Sequence, residues 1–368
     1  MATDTTHIEP AMLKLLGRAP ICGPRCKRVT LILLGLFFVS YSLWEFWRVG
    51  SNYGEWDVML LSGVAAFMVG LWLVAGLPGR LHKTMARLTY RGAFTVGQDA
   101  VLEETLDGFG KMLERRAGIW SRVVALVTAV AILIAFVIAF WNQFSMERIA
   151  LTIGVVVGAY VAGTFLGRMA GYGQLGSILT KCGIKVTVTP GHVDGAAGLK
   201  PVGDFYFFQA MVVAIPAVFL AVWWFLIPIW PHDYAYWRES FVGLLAVAIA
   251  IEVFAFLVPL WSFHKSMKTR KQDLQTEADR LCVKIIEIQR KLMDGSSTEE
   301  KKELREQLTY ITEQFRSIER MPTWPVDMRT RRLFGLNNVL LLTPLFGRFI
   351  KNQELLENIL EVIKNFKA

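Results

Sequence analysis

FVGLLAVAIAIEVFAFLVPLWSFHKSMKTRKQDLQTEADRLCVKIIEIQRKL, residues 241–292, is the stretch whose reading decides the fold of this 368-residue chain. Phe241 to Phe263 is apolar enough to cross a bilayer, with one carboxylate, Glu252, at its centre. From His264 the composition changes to Lys, Arg, Glu and Gln, and an apolar stripe appears at Leu274, Ala278, Leu281, Ile285, Ile288 and Leu292. Its steps alternate four and three, the spacing of a coiled-coil seam. The stretch reads as one helix that begins in a membrane and ends in water.

The composition generalises this reading. Hydrophobic residues make up 54% of the chain and charged residues 19%, with a mean hydropathy of +0.40, so a soluble core is not the main place where apolar surface is hidden. The expected fold is an all-α integral membrane protein with six spans, at about 29–47, 58–77, 119–141, 149–166, 208–230 and 241–263. Residues 1–28 are a cytosolic lead, and 78–118 and 167–207 are cytosolic loops. A cytosolic helical hairpin follows over 264–320, and residues 321–368 hold an apolar segment and a terminal helix.

Orientation follows the cations. Lys14, Arg18, Arg25, Lys27 and Arg28 precede the first span, and Arg80, Lys83, Arg87, Arg91, Lys111, Arg115 and Arg116 lie between the second and third. The alternate connections are short and poor in Lys and Arg, which places both termini in the cytoplasm. Trp44, Trp47, Trp56, Trp141, Trp230 and Trp237 cluster near the outer ends, as an interfacial belt does. No small-residue cleavage site follows the first span, so it reads as an anchor. The net charge of +9 reads either as positive-inside bias alone or as a match for an acidic partner at the cytosolic face, such as anionic lipid or nucleic acid. Cys22, Cys26, Cys182 and Cys282 all fall on that side and are expected as reduced thiols.

Several motifs invite chemistry. Cys22 and Cys26 resemble half of a metal site, but no second pair lies nearby, and no metal or cofactor is expected. The fourth span carries Gly154, Gly158 and Ala162, and Gly163, Gly167 and Gly171, two ladders that let helices approach closely in lipid. The following GYGQLG, residues 171–176, satisfies neither a dinucleotide fingerprint, which needs a preceding strand, nor a potassium filter, which needs a re-entrant outer loop. Residues 184–189 alternate as a short strand and lead into a loop with His192 and Asp194. Those two side chains read either as ligands, completed by His82 and His264, or as local turn chemistry in which Asp194 caps backbone amides.

Beyond the first stalk helix, Asp294 and Gly295 end it, Ser297 with Glu300 forms a capping box, and Leu304, Leu308, Ile311, Phe315 and Ile318 make a second stripe. The arms fold back as an antiparallel coiled-coil hairpin. Met321 to Asp327 then breaks helicity with two prolines. Leu333 to Ile350 is apolar but interrupted by Asn337, Asn338 and Pro344, which places it at the cytosolic end of the bundle or at the interface. The terminal helix carries Leu356, Ile359, Ile363 and Phe366, a seam that either packs on the stalk or joins identical chains.

The residues GHVDGAAGL (191–199), GDFYF (203–207), MPTWPVD (321–327) and Thr330-Arg331-Arg332 together resemble a family of bacterial polytopic membrane proteins. The resemblance covers roughly the C-terminal half and implies an inner-membrane protein, with no activity attached. The layout of a membrane bundle with a basic helical cytosolic part is similar to transmembrane effectors of anti-phage defence, including the Hailong membrane component. That resemblance implies a tetrameric channel-like assembly governed by a nucleic-acid signal.

No nucleophile–base pair, phosphate loop or carboxylate dyad emerges, so an enzyme is not expected. Glu252 is the leading functional candidate, because a carboxylate in hydrocarbon is costly unless it is paired, neutralised or facing water. It reads either as a protonated side chain bonded within the bundle, to a residue such as Thr152 or Ser121, or as one member of a ring of carboxylates lining a cation pathway. Lys268, Arg270, Lys271 and Arg280 on the stalk, with Arg329, Arg331 and Arg332 beyond it, are the candidate binding face for an anionic signal. The expected function is an oligomeric, ligand-gated, cation-permeable channel or pore-forming effector, tetrameric by preference. The alternatives are a non-conducting scaffold docking a cytosolic partner protein through its coiled coil, and a proton-coupled transporter using Glu252.

Overall fold

The computed structural model describes residues 58–96, 101–140, 146–227, 237–293 and 298–349, with isolated positions between 35 and 47. Most of the first expected span, Cys22 and Cys26, Ser297, and the terminal seam Leu356, Ile359, Ile363 and Phe366 lie outside the described residues. The described chain is mostly helical: α1 (Val58–Ala75), α2 (Leu77–Tyr90), α3 (Leu102–Phe140), α4 (Met146–Tyr172), α5 (Leu175–Lys181), α6 (Lys200–Val213), α7 (Ile215–Leu226), α8 (Trp237–Met293), α9 (Thr298–Glu319) and α10 (Met328–Phe349). Two short strands, β1 (Phe94–Thr95) and β2 (Lys185–Val186), pair antiparallel with Phe94 opposite Val186. The strand expected over residues 184–189 is therefore only two residues long; beyond it Thr187 donates its backbone N–H to Ala93, the residue before β1.

Among the described residues, Leu61–Tyr90, Leu102–Ile138, Thr152–Tyr172 and Phe241–Met293 are each long and apolar enough to cross a membrane. The pair α6 and α7, bent by 41°, makes a fifth if taken as one span. Pro216 explains the bend, since it has no N–H to donate back along the helix. The outer faces are those of a protein in lipid. Val69, Val127, Ile134, Ile153, Val247 and Phe254 are all exposed, more apolar surface than a water-facing monomer carries.

The chain divides into two compact units. Among the described residues, the first comprises those within 73–209 and 255–331. Its α2 is amphipathic, burying Leu77, Leu81, Met85 and Leu88, and ends where Gly92 takes a φ of 64°. In α3 a helical stripe of Leu106, Phe109, Leu113, Ala117, Ser121 and Ala125 is buried, and α4 covers its part from Ala117 to Ala125. Here the glycine ladder has a physical use within one chain. A side chain on Gly163 would strike Thr128 and Ala125, one on Gly167 would strike Trp120 and Ser121, and one on Gly171 would strike Ala117. Close approach lets Ser121 donate to Thr164 O at 2.9 Å and Thr128 to Ala159 O at 3.0 Å.

Among the described residues, the second unit comprises those within 31–72, 210–254 and 332–349. Its core joins Ala217 and Ala221 of α7, Leu245 and Ile249 of α8, and Leu341 of α10. A satellite of Trp223, Ile227 and Phe241 packs with Val58 and Phe219, and Trp223 Nε1 donates to Ser62 Oγ at 2.8 Å. The segment from Leu333 onward was expected at the cytosolic end of the bundle or at the interface; within this unit α10 packs on α7 and α8 through Leu341, Leu342 and Leu345. Its Asn337 bonds a buried carboxylate.

Candidate functional site

Two centres emerge, one in each unit. The first joins the GHVDGAAGL and MPTWPVD motifs. Asp194 organises the loop: its Oδ1 accepts the backbone N–H groups of Ala196 and Gly198, each at 3.0 Å, and Arg91 Nη1 donates to Oδ2 at 2.7 Å. Arg91 also reaches Gly198 O at 3.0 Å, so one guanidinium clamps both sides of the turn. Gly195 and Gly198 adopt φ values of 67° and 92°, which only glycine takes without strain. His192 Nδ1 lies 3.0 Å from Asp194 Oδ1 and 3.2 Å from Asp194 N, so it donates to the first when protonated and accepts from the second when not. Burial pulls the Asp194 carboxyl up, but the amides of Gly198 and Ala196 and the neighbouring His192 outweigh it and hold its pKa below the usual carboxylate range.

The second motif locks onto the first. Lys200 Nζ donates to Asp327 Oδ2 at 2.7 Å, while Asp327 Oδ1 accepts Thr330 N–H at 2.9 Å as the N-cap of α10. Burial raises the Asp327 carboxyl, and the Lys200 and Thr330 hydrogen bonds overcome this and bring it down to about 2. Gly203 lies so close to the Pro325 carbonyl that a side chain there would collide with it. His264 Nδ1 donates to Thr323 O at 2.6 Å, and its ring stacks on Trp324 with centroids 4.3 Å apart. Between the loop, α9 and the start of α10 lies an open cleft of about 870 Å³, lined among others by His192, Thr312, Arg316, Arg320 and Arg331.

The second centre is Glu252, which is fully buried. Asn337 Nδ2 donates to Glu252 Oε1 at 2.9 Å, and Glu252 Oε2 and Asn338 Oδ1 have no hydrogen-bond partner among the described residues. The partner is thus an asparagine of α10, 85 positions along the chain. Ser121, a partner considered from sequence, is committed to α4 instead.

The stalk cations disperse. Lys271 Nζ donates to Glu319 O at 2.9 Å and Met321 O at 3.0 Å, satisfying carbonyls at the end of α9. Lys268, Arg270, Arg280, Arg329 and Arg332 are exposed, and of the seven candidates Arg331 lines the cleft. His82, His192, Asp194 and His264 are not gathered into a metal-binding cluster among the described residues. Sequence reasoning passed over Asn337 as a mere interruption, and over Lys200, Arg91, Arg316 and Arg320. It also missed Arg168, which is buried in α4 with Nη2 4.0 Å from Glu114 Oε2 of α3. An arginine inside a glycine ladder was the available signal. No protein-family model, curated protein or solved structure matches the chain.

Proposed function

We propose that the protein is an oligomeric, ligand-gated, cation-permeable membrane channel, with its N-terminus and helical hairpin in the cytoplasm. In this reading the six sequence-derived spans form the bundle, α10 adds a further membrane-embedded helix, and α8 with α9 forms the coiled-coil stalk. The observation that carries it is that α10 begins at the cleft, with Arg331, and six residues later places Asn337 on Glu252. Six residues span about 9 Å of one helix. A ligand that binds the cleft better in one position of α10 than in another shifts the helix and releases the Asn337–Glu252 bond. The latched carboxyl is enclosed and silent. Released, it is a fixed negative charge that attracts cations. A buried polar pair is costly to keep without a use, which favours this reading over simple packing.

The test is conductance of the purified protein in planar bilayers, comparing wild type, Asn337→Leu and Glu252→Gln. Asn337→Leu is expected to raise open probability about tenfold, corresponding to about 1.4 kcal/mol, and Glu252→Gln to reduce cation selectivity. Silence from all three, in protein shown to be folded and oligomeric, would overturn the channel. The non-conducting scaffold would then stand in its place.

A further inference from the structure

We infer that the cleft bounded by the GHVDGAAGL loop, α9 and the start of α10 is a binding site for a soluble phosphate-bearing small molecule. The inference deepens the gating reading by naming the chemistry of its signal, and it rests on that reading only for the consequence of binding.

The charge is one-sided. Arg316, Arg320 and Arg331 line the cleft against a single carboxylate, Glu313. Arg316 stands in the last turn of α9 and Arg320 directly follows that helix, its backbone N–H bonded to Arg316 O at 3.0 Å, and both line the cleft. Arg331 approaches from another element, its Nε bound to Val326 O at 3.2 Å, which fixes the stem and leaves the two terminal nitrogens for a ligand. Guanidinium groups converging from two elements suit the several oxygens of a phosphate ester better than a lone carboxylate. Thr309 and Thr312 add hydroxyl groups, and Leu308, Pro322, Val326 and Met328 supply apolar wall for the body of the molecule. A cleft of about 870 Å³ lies within the range of small-molecule sites and is larger than inorganic phosphate needs.

The site is also preformed. The Asp194 turn holds Gly191 and His192 at its rim, and the Lys200–Asp327 bridge holds the base of α10. Little ordering cost is left for the ligand to offset. A lipid headgroup offers the same phosphate, so lipid and solute must be separated by experiment.

The experiment is calorimetric titration of the full chain in nanodiscs of neutral lipid, using inorganic phosphate, pyrophosphate and a nucleoside triphosphate as probes. At least one phosphorylated probe is expected to bind, more tightly at low than at high salt. The Arg316→Ala/Arg320→Ala double variant is expected to weaken it at least tenfold. Both side chains are exposed, so folding is not at stake. Lys284→Ala/Lys302→Ala, on exposed positions of α8 and α9 away from the cleft, is expected to leave binding unchanged. No binding by folded protein, or equal loss in both double variants, would overturn the site. Binding that appears only when anionic phospholipid replaces the neutral lipid, and is lost in Arg316→Ala/Arg320→Ala, would overturn the soluble class in favour of a headgroup. Binding without conductance would remove the channel and keep the site, and conductance without binding would do the reverse.

Discussion

Asp327 is the residue on which the two motifs meet, since it holds Lys200 with one oxygen and caps α10 with the other. Its carboxyl sits near 2 in the fold against an unfolded value near 3.8. A group depressed by folding stabilises the native state above its unfolded pKa and loses that contribution as pH falls through the folded one. Asp327→Asn is therefore expected to cost about 1–2 kcal/mol at pH 7, after allowance for partial solvent screening. The difference from wild type should close between pH 4 and pH 2, as read by paired unfolding curves in detergent. The turn chemistry of Asp194 was legible from sequence because Ala196 and Gly198, whose amides it accepts, lie within four residues. Its clamp by Arg91, 103 positions away, was not. Local spacing carries no information about such closures, and the Glu252–Asn337 bond was hidden for the same reason.

Among the elements, α8 shows how far periodicity reaches. The stalk stripe at Leu274, Ala278, Leu281, Ile285, Ile288 and Leu292 is the shielded side of its arm, with Leu274 and Ile288 buried. The stripe does not stop at the membrane. Leu245, Ile249, Glu252, Phe256, Leu260, Phe263 and Met267 continue it, all buried, in steps of four and three. Glu252 is thus a position on the same seam. The mean step is about 3.7 residues in this part and 3.6 in the stalk, so the whole stripe keeps to one face of a nearly straight helix. The glycine ladder of α4 was legible as a packing device, while its partner, α3, was not, because small residues state how close a neighbour comes and not which neighbour it is. Gly167→Leu is expected to separate α3 from α4, breaking the Ser121–Thr164 hydrogen bond and lowering the unfolding temperature by several degrees, with Gly79→Leu, which meets open space, as the unaffected control.

For the whole molecule, composition and hydropathy were enough to identify a helical membrane protein, because length and apolarity are properties of each segment alone. The contact of α10 with Glu252 needed the fold, since Asn337 in an apolar run reads as an interruption until a buried carboxylate is found to bond it. If α10 enters the bilayer, a cysteine placed at the exposed position Leu340 should resist a membrane-impermeant maleimide, whereas one at Arg329 should react. Equal labelling of both would return α10 to the surface of the membrane.

The length of α8 has a consequence of its own. Its 57 residues measure about 85 Å at 1.5 Å per residue, and a hydrocarbon core takes up about 30 Å of that. From Phe263 to Met293 the helix runs some 45 Å, more than five times the distance of about 8 Å over which physiological salt screens a charge. With that arm standing upright, its tip is beyond the electrostatic reach of the lipid surface. Whatever meets Met293 is then selected by the protein's own charges, and the membrane has no say in the encounter.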